Sequence, residues 1–150
     1  MPTPIEPEVL KAQPLFKSLE KGELDNLGLL LFEKTYTPGA TLFVEGMSGE
    51  ILYLIRKGRV DITKKGPDRE DKVLASLSAG EFLGEMSLIE NQPRSATARV
   101  AEESVLLVMT KKSFNVMLEK YPALAVKILL EFLKTANARV RKANETLKQV

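Results

Sequence analysis

The apolar positions of this chain change period twice. Between residues 15 and 35 the run LFKSLEKGELDNLGLLLFEKT sets Leu24, Leu27, Leu31 and Phe32 at the spacing of one helix face. Gly22 and Gly28 interrupt it, so the pattern predicts an N-terminal helical region over 15–35 rather than one unbroken helix. From Tyr36 to Met109 the texture is that of strands: ATLFVE, EILYLIRK, GRVDITKK, KVLASLS and SVLLVMT, separated by PGA, GMSG, KG and GPDRED. Short strands at roughly ten-residue spacing predict an antiparallel barrel or jelly roll, not an alternating βαβ plan. Lys57-Gly58 reads as a tight hairpin turn and GPDRED as an exposed polar one.

Helical spacing returns at Lys111. Lys112-Ser113 predicts the start of a short helix through Glu119 that ends before Pro122. Residues 122–149 predict one long helix, since neither glycine nor an internal proline breaks them. Along it Val126, Leu129, Leu133, Ala136, Val140, Ala143, Leu147 and Val150 alternate steps of three and four, which is an a/d seam. Leu124, Ile128, Leu130 and Phe132 add apolar positions on its other sides, in the first half only. The first half is therefore expected both to pack on its own domain and to carry the seam. After Val140, where the flanks are charged, the helix is expected to leave its domain and pair with a second copy, giving a homodimer. The fold class is α+β: a β-roll or jelly-roll barrel (36–110) between an N-terminal helix and C-terminal helices (111–149), one domain over residues 1–150.

Composition narrows the chemistry. A chain with 44% hydrophobic and 28% charged residues is an ordinary globular one with enough apolar side chains for a core. The longest apolar candidate, AVKILLEFL, is shorter than the roughly 18–20 residues of a membrane span and carries charge. The N-terminus, MPTPIEPEVL, lacks the basic and apolar start of a signal peptide, so a cytoplasmic location is expected. With no Cys there are no disulfides or thiolate sites, and with no His the usual general base and commonest metal ligand are missing. An enzyme is therefore disfavoured, and neither metal nor cofactor is expected. Residues 1–110 hold 13 Lys/Arg against 17 Asp/Glu, and residues 111–150 hold 9 against 3. The basic excess is spaced along a helix rather than clustered, which suits a solvated face better than a nucleic-acid interface.

The candidate chemistry sits in residues 80–100, GEFLGEMSLIENQPRSATARV. Arg94 offers a planar guanidinium suited to bidentate contact with phosphate oxygens. Ser95 adds a hydroxyl, and the small Ser95 and Ala96 let backbone N–H groups approach an anion. On the other arm Gly84 frees the chain to bend, and Glu85 opens a short helix, EMSLIEN, whose first amides (Met86, Ser87, Leu88) are expected to be unpaired. A carboxylate such as Glu85 repels phosphate but accepts well from a sugar hydroxyl. The same acid and base also suit a salt bridge that pins a turn, and their spacing does not choose between the two.

The segment GEMSL, spacer, PRSAT resembles the phosphate-binding cassette of the cyclic nucleotide-binding domain family, with its pattern F-G-E-[LM]-[SA]-L, a short spacer, then P-R-[SAT]-A-[ST]. The resemblance extends over nearly the whole chain. YTPGATLFVEGMSGEILYLIRKGRVDITK is similar to the family's first hairpins, with glycines at 39, 46 and 58, LFKSLEKGEL to its N-terminal helix, and SFNVMLEKYPAL to the helices after the barrel. It implies a sensor of cAMP or cGMP. The Gly84, Met86 and Ser87 backbone and the Glu85 carboxylate would hold ribose and phosphate, and Arg94, Ser95 and the Ala96 backbone the cyclic phosphate. Leu83 departs from the pattern, with Phe82 one place early, and its side chain is expected to face the core.

Relatives often cover the base with a residue of the long helix. Here that position falls at Arg139, with Lys142 one turn on, and an arginine is expected to stack on the purine. Ser95, where some relatives that prefer cGMP have Thr, favours cAMP. Family members control kinases, channels, exchange factors or a C-terminal helix-turn-helix. No second helix pair follows the long helix, so DNA reading of that type is not expected from this chain. The reading is a regulatory domain whose C-terminal helices move on binding, and the alternative is a dimerisation module with a vestigial pocket.

Overall fold

The structure, a computed structural model, describes residues 3–148. Three helical pieces come first: α1 (Pro7–Lys11), a 3-10 turn (Pro14–Phe16) and α2 (Lys21–Gly28). Four strands follow, β1 (Phe32–Tyr36), β2 (Thr41–Phe43), β3 (Ile51–Lys65) and β4 (Asp71–Ser78). The two-residue β5 (Phe82–Leu83) leads into α3 (Glu85–Ile89), and β6 (Thr97–Thr110), α4 (Lys111–Lys120) and α5 (Pro122–Lys148) complete the chain. All strand pairs are antiparallel, in the order β1-β6-β3-β4, with β2 beside β6 and β5 beside β3. This is the α+β, antiparallel β-roll class that the sequence pattern predicts.

Period-two alternation along the paired strands builds two cores. Leu52 and Leu54 of β3 and Leu107 and Met109 of β6 face the helices, where Phe16, Leu24, Leu27, Phe114, Met117 and Ile128 bury them. Tyr53, Ile55, Leu106 and Val108 take the opposite face and fill the roll with Val60, Leu83, Ala98 and Val100. β5 obeys the same rule: Phe82 joins the helical core and Leu83 the interior of the roll. Leu83 thus faces a core, as expected for this departure from the family pattern.

Two elements differ from the sequence reading. Of residues 15–35, only Lys21–Gly28 and the 3-10 turn are helical, and Phe32–Tyr36 is a strand whose Phe32 pairs with Val108. Leu24 and Leu27 do share a buried helix face, but the helix ends at Gly28, which lies too close to the Ile5 backbone to carry a side chain. The helical spacing of Phe32 is a coincidence of two elements meeting. Second, Lys57-Gly58 is not a hairpin turn: β3 runs through it unbroken, and the register against β6 shifts on either side of Lys57. Gly58 (φ 103°) marks a bulge, held by the buried Ser104, whose hydroxyl accepts from Arg59 N (3.2 Å) and donates to Glu102 O (2.8 Å).

The first half of α5 packs on its own domain, as expected. Leu124, Ala125, Ile128 and Phe132 are buried, and Lys127 Nζ donates to Glu23 Oε1 of α2 at 2.7 Å. Leu130, by contrast, is exposed. Val126, Leu133, Val140 and Leu147, seven residues apart, are between 54% and 72% exposed. Val150, the last position of the predicted seam, lies outside the described residues. Among them, no helix is long and apolar enough to cross a membrane.

Candidate nucleotide site

Gly84 sets the geometry of the cassette. Its φ of 92° turns the chain sharply out of β5, and a Cβ there would run into Ile51 O and lie 2.9 Å from Arg94 Nη1. The turn opens α3, where Glu85 and Met86 sit on the first turn, Met86 is exposed, and Ser87 and Leu88 are buried. The expectation of a free Ser87 amide is corrected: its N–H donates to Gly84 O at 3.2 Å, closing the tight turn. At the far end of α3, Lys111 Nζ donates to Leu88 O, and the Lys111 amide donates to Glu50 O (2.9 Å), tying the short helix to the β6–α4 junction.

Arg94 sits below this turn with 6% of its surface exposed. The β2–β3 segment holds its backbone: Arg94 N donates to Met47 O (2.9 Å), and Arg94 O accepts from Gly46 N (2.8 Å). Its guanidinium donates to Ile51 O (3.1 Å) and, weakly, to Gly84 O (3.4 Å), and lies 4.2 Å from the centre of the Phe43 ring. Nε is buried and has no hydrogen-bond partner in the protein. Among the described residues, no carboxylate forms an ion pair with this cation. Burial pulls its pKa below the ordinary arginine value, while the neighbouring Tyr53 and Glu85 act in the opposite direction. A salt bridge from Glu85 to Arg94, the structural option that the sequence left open, is therefore not formed.

Glu85 instead meets the long helix. Its Oε1 accepts from Arg139 Nη1 at 2.8 Å, and the Arg139 guanidinium lies 5.8 Å from the centre of the Phe82 ring, which packs on Phe132 (5.2 Å). Between these groups opens a cavity of about 270 Å³, just below the roughly 300–1,000 Å³ of typical small-molecule sites. Gly84, Glu85, Met86, Ser87, Arg94, Ser95, Ala96 and Arg139, the eight residues singled out in the sequence, all line it. The cavity thus has a cationic floor, a carboxylate on its rim and an arginine reaching over it from α5.

A model of the cyclic nucleotide-binding domain matches residues 33–121, more than half of the chain. The chain belongs to the cyclic nucleotide-binding domain family. Its similarity to the cyclic AMP receptor protein of Thermus thermophilus is 33% identity over 117 residues, covering 77% of this chain and 54% of that protein. A cyclic nucleotide-binding domain from Methylobacillus flagellatus superposes with a TM-score of 0.82 at 27% identity, over 95% of this chain and 81% of that one. The N-terminal domain of a transcriptional regulator from Streptomyces coelicolor superposes with a TM-score of 0.75 at 32% identity, over 93% and 94%. The chain spans about half the length of the Thermus receptor.

In this cyclic nucleotide-binding domain the cavity also takes walls that the cassette does not contain. Ile62 of β3 and Ala75 and Leu77 of β4 line one side, and Phe43 of β2 another. Ala75 and Leu77 are two apart on a strand and so share a face, a signal present in KVLASLS. What the sequence could not supply is that β4 folds across the cassette, because that follows from the pairing of β3 with both β4 and β6.

Proposed function

We propose that this domain binds a cyclic nucleotide, cAMP in preference to cGMP, and acts as a regulatory sensor. The observation that carries the reading is Arg94, a buried cation with an unpartnered N–H and no carboxylate partner among the described residues, lining a cavity of about 270 Å³. An anion is what such a group lacks, and a cyclic phosphate presents one with two exocyclic oxygens. The Glu85 carboxylate on the rim is the acceptor for the ribose hydroxyl, and Arg139 covers the base. Ligand competes with Arg139 for Glu85, so occupancy and the position of α5 are coupled. The name of the Thermus relative, a cyclic AMP receptor, supports the choice of cAMP.

A homodimer is part of the same proposal. The exposed apolar stripe on α5 supports it, and it would also serve a module whose pocket had lost its ligand. Calorimetric titration with cAMP and cGMP separates the two readings. Saturable binding of cAMP, lowered at least tenfold by Arg94→Ala with the fold intact by circular dichroism, is the expected result for a charge-assisted contact worth ~1.5–3 kcal/mol. Absence of binding below about millimolar for both nucleotides, a free energy weaker than about −4 kcal/mol, overturns the sensor reading.

A further inference from the structure

Arg94 is held from a side that the cassette sequence does not contain. The Phe43 ring lies 4.2 Å from the guanidinium carbon, and Gly49 lies so close to the same group that a Cβ there would sit 2.8 Å from Cζ. Phe43 is itself braced. Its ring packs on Tyr53 at 6.4 Å, and Tyr53, buried in the roll, meets Tyr36 edge-on at 6.3 Å. The backbone is fixed too: Phe43 pairs with Ala98 at the start of β6, and Glu45 N donates to Thr97 Oγ1 at 2.9 Å. The aromatic row Tyr36–Tyr53–Phe43 thus ends on the cation.

We propose that Phe43 is a positioning residue for the phosphate-reading arginine: its ring supports the guanidinium of Arg94 and holds its plane ready for an anion. The physical reason lies in the shape of the cavities around it. Phe43 and Arg94 together line both the nucleotide cavity and a second one of about 310 Å³, which opens between β2 and the 44–50 segment. Without the ring, the guanidinium has room to swing towards that second space. A cation desolvated against an aromatic face gains from the ring quadrupole, and the stack also fixes the rotamer before the ligand arrives. Leucine matches the apolarity of Phe43 but has no quadrupole. Tyrosine keeps the ring.

The inference about affinity rests on the nucleotide-binding reading above, so its test has an arm that does not. In calorimetry with cAMP, Phe43→Leu is expected to weaken binding roughly tenfold to thirtyfold, the equivalent of a desolvated cation–π contact, with Phe43→Tyr restoring most of it. In a double-mutant cycle, Phe43→Leu in an Arg94→Ala background is expected to have less than about a twofold further effect, as coupled residues require. Equal losses in the two backgrounds, or affinity within twofold of wild type for Phe43→Leu, overturn the proposal. The second arm is the Arg94 side-chain N–H resonance of the nucleotide-free protein, which the ring current of Phe43 shifts. Phe43→Leu is expected to move it, and an unchanged resonance in that variant overturns the positioning role even if neither nucleotide binds.

Discussion

Moving a guanidinium out of water costs several kcal/mol unless its donors and its charge are met, and at Arg94 two carbonyls and an aromatic face meet only part of that demand. The remaining part is a free capacity for an anion. Its neighbour Tyr53 carries a related constraint: burial, with Tyr36 alongside, pushes the phenol up to about 12, against a smaller opposing pull from Arg94. The sign of the consequence follows from linkage. The unfolded phenol ionises near its ordinary value of 10.0 while the folded one stays neutral, so stability present below pH 10 is lost as pH rises towards 12. Thermal melts across this window are expected to fall more steeply for the wild type than for Tyr53→Phe, which lacks the titrating group. Parallel slopes would mean that the phenol is not held neutral by the fold.

Elements in this domain were legible wherever local spacing and burial agreed. The strands of residues 36–110, the helix after Lys111 and the unbroken α5 follow from period and from the placement of proline. The cassette was legible because its residues lie together in the sequence and resemble a family motif, whereas the chemistry of Glu85 and Arg94 alone left a salt bridge equally open. Gly58 was not, because a glycine between two strand-like runs signals a turn or a bulge equally, and what decides is Ser104, whose hydroxyl meets Arg59 N from 45 residues further along the chain. Phe43 and the β4 wall were missed for the same non-local reason. The bulge makes a prediction at its own scale. Gly58→Ala puts a Cβ on a φ of 103° and 2.7 Å from Glu103 O, and is expected to cost about 1–3 kcal/mol, several degrees in Tm. Gly22, inside α2 with open space around its Cα, is the matched control: Gly22→Ala is expected to stabilise slightly, by ~0.5–1 kcal/mol. Melting curves that rank the two substitutions in the other order would show that β3 can straighten at the bulge.

At the scale of the whole molecule, α5 links the N-terminal helices to the cassette. Its first half is fixed by Leu124, Ile128 and Phe132 and by the Lys127–Glu23 pair, and its second half reaches the nucleotide cavity through Arg139. The residue after Arg139 is Val140, one of four exposed apolar positions spaced seven apart. Ligand site and exposed stripe therefore lie on adjacent residues of one rigid rod. If two copies pair along the stripe, linkage requires that a nucleotide which alters dimer affinity be bound with an affinity that dimerisation alters by the same factor. Sedimentation of the wild type is expected to give a concentration-dependent dimer with a Tm that rises with protein concentration. Leu133→Glu with Val140→Glu is expected to leave a folded monomer, because both side chains are exposed within one protomer and their loss leaves its cores intact. The same variant then bears on the coupling: cAMP affinity shifted from that of the wild-type dimer shows that α5 transmits occupancy, whereas an identical affinity in monomer and dimer confines the nucleotide's effect to the cassette and Arg139.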